Sequence, residues 1–451
     1  MSPGRATAGS SPAKAKKKAK ARAKAPAKSS RAQAAKAAKA AKKSTKSSAK
    51  SPAKTAARKS APAATPTRAP GGESVLIVAG EHSGDLLGGD LVQSLRRLRG
   101  GDYFGIGGEH MGGAGVELLH PVEIMNVIGF VEAIKAYPRL KQVARGLVEQ
   151  VLQRGTRVAI LIDAPGFNLR LAEMLKKHDV TVINLVSPQI WAWKYGRIKK
   201  IRRCVDFMLT LFPFEKDIYD RENVRAECIG HPMIHRIPRE LAQDEPIPAQ
   251  KKKTVALMPG SRGSEITRLL PVMLDAAHRL KERYPSIRFL LPMINPKLND
   301  FVAEQVAAHP DLGVKVFEGR ALRVIEASDI VVLSSGTATL EVAWFQKPMV
   351  ILYRMGIVNF VLASLMLRVP WVGLVNLLAE RQICLELLQS EVTAENIERE
   401  AVRMLEDADY RQHMIEGLEL VRKRMGRGNP PANAARMIDE YLRERQGSLK
   451  R

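Results

Sequence analysis

Two polar turns carry residues with evident chemistry. Ser335-Gly336-Thr337-Ala338-Thr339 joins an apolar run to a helical pattern, and its glycine, hydroxyls and free backbone N–H groups suit a phosphate. Pro259-Gly260-Ser261-Arg262 makes a second such turn, in which Arg262 could clamp a diphosphate. Two such turns in one half of the chain predict a nucleoside diphosphate held between them, with Glu341 accepting from ribose hydroxyls. The plainer alternative is a pair of ordinary capped turns. In the other half, Glu81, Ser83 and Asp85 gather at a helix start, and Asp163 directly follows a strand pattern. Transfer of a group to a hydroxyl needs a base. Asp163 is the better placed, because the turn after a strand projects into a cleft; both it and Asp85 could instead cap helices.

Other chemistries lack their signatures. The P-loop pattern GxxxxGK[ST] is missing, and Gly105-Ile106-Gly107-Gly108 and Gly112-Gly113-Ala114-Gly115 lack dinucleotide-binding spacing. Those glycines are expected to shape a mobile loop. His231 in Gly230-His231-Pro232 reads as a turn residue, and no set of His, Cys and acids has ligand spacing, so no metal is expected. Trp191 and Trp193 alternate as on an extended segment, with core packing the plainer reading. Lys194, Arg197, Lys199, Lys200, Arg202 and Arg203 either meet phosphates at a lipid surface or form a solvated helix face.

These residues need a scaffold, and the apolar pattern supplies one. Strands are predicted at 75–79, 158–162, 180–186, 207–211, 254–258, 287–291, 330–333 and 349–352, most ending in a polar turn. Leu86, Leu87, Leu91 and Leu95, and later Ile266, Leu269, Leu270, Met273 and Leu274, fall at helical spacing. Alternating strands and helices predict an α/β fold class with a parallel sheet in each half and a ligand cleft between them. The domain boundaries read as a basic tail at 1–72, one α/β domain at 73–240, a Pro/Glu/Lys-rich linker at 237–253, a second α/β domain at 254–405 and helices at 406–451.

The net charge of +26 belongs mostly to the tail. Residues 1–70 hold 20 Lys and Arg and no acid, leaving +6 for the rest. A tail of Ala, Lys, Ser and Pro without aromatic residues predicts disorder. It either contacts nucleic acid or an anionic surface, or merely solubilises the chain. Three scattered cysteines, Cys204, Cys228 and Cys384, argue against a disulfide framework and fit a reducing compartment. No signal-peptide pattern or uninterrupted transmembrane run is present; 356–378 comes nearest, broken by Arg368, Pro370 and Asn376.

Several motifs together resemble the bacterial lipid-A-disaccharide synthase family. They are Gly80-Glu81-His82-Ser83-Gly84-Asp85, Leu161-Ile162-Asp163-Ala164-Pro165-Gly166-Phe167-Asn168, Val186-Ser187-Pro188-Gln189-Ile190-Trp191-Ala192-Trp193, Phe212-Pro213-Phe214-Glu215, Gly230-His231-Pro232, Pro259-Gly260-Ser261-Arg262-Gly263-Ser264-Glu265, the run 334–341 and Tyr353-Arg354-Met355. The resemblance spans about 74 to 440. It implies a GT-B fold, two Rossmann-like domains facing a cleft with C-terminal helices packing back on the first. It implies an inverting transferase that joins UDP-2,3-diacylglucosamine to 2,3-diacylglucosamine 1-phosphate (lipid X), giving a β-1,6-linked disaccharide 1-phosphate and UDP. No metal or cofactor is implied. The family is found at the cytoplasmic face of the inner membrane and tends to dimerise. Asp163 would be the base, in a catalytic group with Glu81, Ser83 and Asp85. The implied donor contacts are Ser261, Arg262, Glu265, Ser335, Gly336, Thr337, Thr339 and Glu341. Asn376, Arg381, Glu386 and Gln389 match the family's C-terminal motif near the donor, where Glu380 replaces a usual glycine and Gln382 a usual acid. Apolar stretches around Met125, Ile128 and Phe130, and at 360–367 and 371–378, either receive acyl chains or are buried elements. The alternatives are another UDP-sugar transferase or a UDP-GlcNAc 2-epimerase on the same fold. From a different class comes nucleic-acid binding through the tail, which would be steeply salt-dependent.

Overall fold

Uniformly apolar strand segments dictate the architecture. A strand such as Val158–Ile162, buried at every position, must be covered on both faces, which is the situation of a parallel sheet flanked by helices. The computed structural model describes residues 73–125, 130–192, 195–248, 250–293, 295–356 and 369–448. They form two parallel sheets within one compact unit. The first contains β1 (Ser74–Ala79), β2 (Asp102–Gly107), β3 (Glu117–Pro121), β4 (Val158–Ile162), β5 (Thr181–Leu185), β6 (Phe207–Thr210) and β7 (Ala226–Cys228), in the order β3-β2-β1-β4-β5-β6-β7. The second contains β8 (Thr254–Met258), β9 (Arg288–Met293), β10 (Lys315–Glu318), β11 (Ile330–Ser334), β12 (Met349–Tyr353) and β13 (Glu386–Leu388), in the order β10-β9-β8-β11-β12-β13.

Strand order reverses between β1 and β4 in one sheet and between β8 and β11 in the other. Helices leaving such a pair go to opposite faces, so a crevice opens beyond the strand ends. The register pairs Ala79 with Ile162 and Leu333 with Met258, which brings the turns after each pair side by side.

Of the two glycine-rich stretches expected to shape a loop, Gly105, Ile106 and Gly107 belong to β2, and Gly112 and Gly113 end the helix Glu109–Gly113. Gly105 has φ 150°, and a Cβ there would lie 1.9 Å from the Ile77 carbonyl oxygen. Glycine at this position permits close strand approach, not loop motion. The helix Met233–Gln243 occupies the start of the expected linker and continues through Pro238. Its Met233, Ile234 and Ile237 join the core of the second sheet.

The C-terminal helices are Ala394–Glu406, Ala408–Arg424 and Pro430–Ser448. The last returns to the first sheet. Its Ala434, Ala435 and Ile438 share a core with Leu91 and Leu95 of the helix His82–Arg99. Tyr441 stacks on Phe207 at 4.8 Å between ring centroids. Where the chain passes between the halves, Gly230 (φ 87°) lies against Met425 and Gly426 (φ 96°), and the His231 N–H donates to the Met425 carbonyl at 2.8 Å. Among the described residues, no helix is long and apolar enough to cross a membrane.

Candidate active site

A cavity of about 560 Å³ opens between the strand ends of the two sheets. Its second-half wall is built from the turns after β8 and β11, with Ser261, Arg262, Glu265, Ser335, Gly336, Thr337 and Glu341 among the lining residues. A Cβ placed on Gly336 would meet nothing within 4 Å, so the cavity comes directly to its backbone. The Ser335 hydroxyl donates to the Val372 carbonyl at 3.1 Å, tying this turn to the segment that follows β12. The other turn is braced by Glu265. Its Oε2 accepts from the Ser261 and Arg262 N–H groups, both at 3.3 Å, and its Oε1 accepts from Arg262 Nη1 at 2.9 Å. Arg262 is otherwise largely exposed, available to an anion entering the cavity. Glu341 pairs with Arg236 at 2.6 Å; burial pushes its carboxyl up, and the guanidinium opposes that shift.

From the first half, Gln189, Trp191 and Ala192 line the cavity; Asp163 and Glu81 are not among its lining residues and sit at the strand ends of the first sheet, on strained backbone at Asp163. Asp163 and Ala164 follow β4 with φ 55° and 40°, two consecutive non-glycine residues in left-handed conformation. Such geometry costs on the order of 1–3 kcal/mol per residue and persists only where neighbours enforce it. Asn168, fully buried, supplies the enforcement. Its Nδ2 donates to the Ile162 carbonyl at 3.1 Å and the Asp163 carbonyl at 2.7 Å. Gly80 completes the fit, since a Cβ there would lie 2.2 Å from Ala164 Cβ. The result sets Asp163 against Glu81 at the end of β1. Burial first, then the hydrogen bond to Glu81, push the Asp163 carboxyl up to about 7. The Glu81 carboxyl beside it disfavours ionisation of Asp163. Glu81 also acts electrostatically on Arg262 of the other half.

A nucleotide-type wall in one half and a carboxylate of raised pKa at a strand end of the other suit group transfer from a nucleotide donor to a hydroxyl. The comparisons narrow the family. The sequence profile described as "Lipid-A-disaccharide synthetase" matches residues 75–432. The lipid-A-disaccharide synthase of Myxococcus xanthus is 40% identical over 380 residues, covering 82% of this chain and 97% of that one. This chain belongs to the lipid-A-disaccharide synthase family. The Coxiella burnetii lipid-A-disaccharide synthase is 36% identical over 380 residues, covering 82% of this chain and 99% of its own. Solved structures share the fold. Acinetobacter baumannii MurG has TM-score 0.52 at 15% identity, covering 82% of this chain and 100% of its own. The glycotransferase of kitacinnamycin has 0.54 at 14%, covering 82% and 99%. The two-sheet architecture is therefore GT-B, and lipid-A-disaccharide synthases are glycosyltransferases.

Several residues expected in a lipid-A-disaccharide synthase site lie away from the cavity. Asp85 is 1% exposed and accepts from the N–H groups of Gly108, His110 and Met111 at 2.7, 3.1 and 3.1 Å. It caps the helix Glu109–Gly113, which folding brings beside it, and not its own helix. Thr339 is fully buried, its hydroxyl donating to the Gly336 carbonyl at 2.8 Å. Asn376 is also fully buried: Nδ2 donates to Cys384 O and Glu386 Oε1, and Oδ1 accepts from Ile383 and Cys384 N–H. Glu386 further accepts from Val372 N–H at 2.8 Å and Gly373 N–H at 3.0 Å. Gln389 exchanges hydrogen bonds with the Met355 backbone. These three brace the segments around 355 and 371–373, and Val372 lines the cavity. Arg381 is exposed outside the cavity lining, and Ser83 is exposed at the start of its helix. Met125 packs against the first core. Ile128 lies outside the described residues, as do 360–367 and the side chain of Phe130. Sequence reasoning assigned no role to Asn168, Asn295 or Arg236. Asn295 Nδ2 donates to Ser261 O at 2.9 Å, steadying the same turn from 34 residues away. Only Asn168 left a signal, its place inside the Asp163 motif.

Proposed function

We propose that this glycosyltransferase joins UDP-2,3-diacylglucosamine to the 6-hydroxyl of 2,3-diacylglucosamine 1-phosphate. UDP lies on the second-half turns, with its phosphates near Ser261, Arg262 and Ser335–Thr337. Glu341 takes the ribose hydroxyls on the oxygen left over from its pairing with Arg236. Asp163, as base, accepts the proton of the acceptor hydroxyl as that oxygen attacks the anomeric carbon. The bond to the diphosphate breaks on the opposite face, and UDP leaves with inversion. Glu81 raises the basicity of Asp163 and passes its proton onward. The acylated substrates place the enzyme peripherally at the cytoplasmic side of the inner membrane. Val369, Trp371, Leu374 and Leu377, which line the same cavity, give that site an apolar side.

The observation that carries this reading is the contact of Asp163 with Glu81 at the strand ends of one half, with Glu81 acting electrostatically on Arg262 of the other half. Purified protein in detergent micelles, given both substrates, should release UDP in step with a tetraacyl disaccharide phosphate. NMR should show a β-1,6 linkage. Epimerised sugar nucleotide, or UDP without disaccharide, would contradict the proposal.

A further inference from the structure

Three motifs with no part in the donor or base roles meet at one wall of the cavity. Trp191, half-buried, lines it from the first half, opposite the turns at 261–262 and 335–337. Its indole Nε1 donates to Glu215 Oε1 at 3.1 Å. Glu215 is 4% exposed, and its Oε2 accepts from the N–H groups of Leu211 and Phe212, both at 3.2 Å. Phe214 meets the Trp191 ring edge-on at 5.3 Å and lies parallel to Phe212, which stacks in turn on His231.

A carboxylate this deeply buried is expensive unless every oxygen finds donors. Here two backbone N–H groups satisfy one oxygen and the indole N–H the other. That arrangement fixes the rotation of the Trp191 ring and uses its only hydrogen-bond donor. The indole surface left to the cavity is therefore apolar and rigid. A pyranose presents C–H groups on its ring faces, and a fixed aromatic face matches it at small entropy cost. A sugar attached to a diphosphate on the second-half turns must project across the cavity toward this wall.

We infer that Trp191 is the platform on which the transferred glucosamine ring packs, and that Glu215 is a positioning residue that holds the indole in place. The inference rests on the donor placement proposed above. It predicts a separation between nucleotide and sugar recognition. Wild type, Trp191→Ala, Trp191→Phe and Glu215→Gln, as full chains in detergent micelles, would be titrated with UDP and, without acceptor, with UDP-2,3-diacylglucosamine. UDP affinity should stay within about twofold in all four. Sugar-nucleotide affinity should fall about tenfold in Trp191→Ala and be largely kept in Trp191→Phe, which retains a ring face. In Glu215→Gln the donor KM should rise with UDP affinity intact. The Trp191 indole N–H resonance should shift upfield in the same variant, with the other three tryptophans as references. Equal weakening of UDP and sugar nucleotide, no change in either, or a Trp191→Phe loss matching that of Trp191→Ala would overturn the inference. Failure of wild type to bind UDP at all would instead overturn the donor placement beneath it.

Discussion

Asp163 carries the chemical argument at the scale of single residues. A base acts when deprotonated, so with its carboxyl near 7, kcat/KM should climb with pH to a plateau above about 7. Glu81→Gln removes a neighbouring negative charge and should move the ascending limb to lower pH; an unmoved limb would separate Glu81 from the titration. The same shift bears on stability. An acid whose folded-state pKa is raised prefers its protonated form, so its contribution worsens as pH rises from 3.8 through about 7. Asp163→Asn should therefore melt no lower than wild type at pH 8 while turning over about 10²–10⁴-fold more slowly. Asp85 predicts the opposite pattern. With three backbone N–H groups on its carboxylate, Asp85→Ala should cost about 1–3 kcal/mol in a denaturant titration, because it leaves buried donors unpaired. Sequence spacing alone left Asp85 and Asp163 with the same choice between base and cap. The difference lies in which distant segment folds against each, His110 and Met111 in one case and the β1 end in the other.

At the scale of elements, legibility followed burial. The strands β1, β4, β5, β8 and β11 are mostly apolar and buried nearly throughout, and their positions could be read directly. β2 was hidden because its glycines, needed to pass Ile77, look like loop residues. β3 and β10 are edge strands with mostly exposed side chains and no continuous apolar run. Asn376 and Glu386 match a family motif, yet their hydrogen bonds turn inward, a distinction set by the chain path between 372 and 386. The helix Pro430–Ser448 is as much part of the first core as the strands are. Ile438→Asp places a charge among fully buried side chains and should lower the melting temperature by several degrees or more. An unchanged melt would show that this helix docks weakly.

For the molecule as a whole, the second-half wall of the cavity lies at the strand-order reversal of its sheet, and the two crossings between halves touch at Gly230 and Gly426. Closure of the cleft would pivot there. A Cβ on Gly426 would press on Gly230 Cα at 3.1 Å and force a side chain into φ 96°. Gly426→Val should thus lower kcat and alter KM together, with UDP affinity of the second half largely retained. The central claim is that a base on one half works on a donor held by the other. The most direct measurement sets wild type and Asp163→Asn side by side, reading disaccharide formation and UDP affinity on the same preparations. Turnover lost by at least about a hundredfold, with UDP affinity unchanged, is the predicted result. Near-normal turnover in Asp163→Asn, or loss of UDP binding in step with turnover, would contradict it.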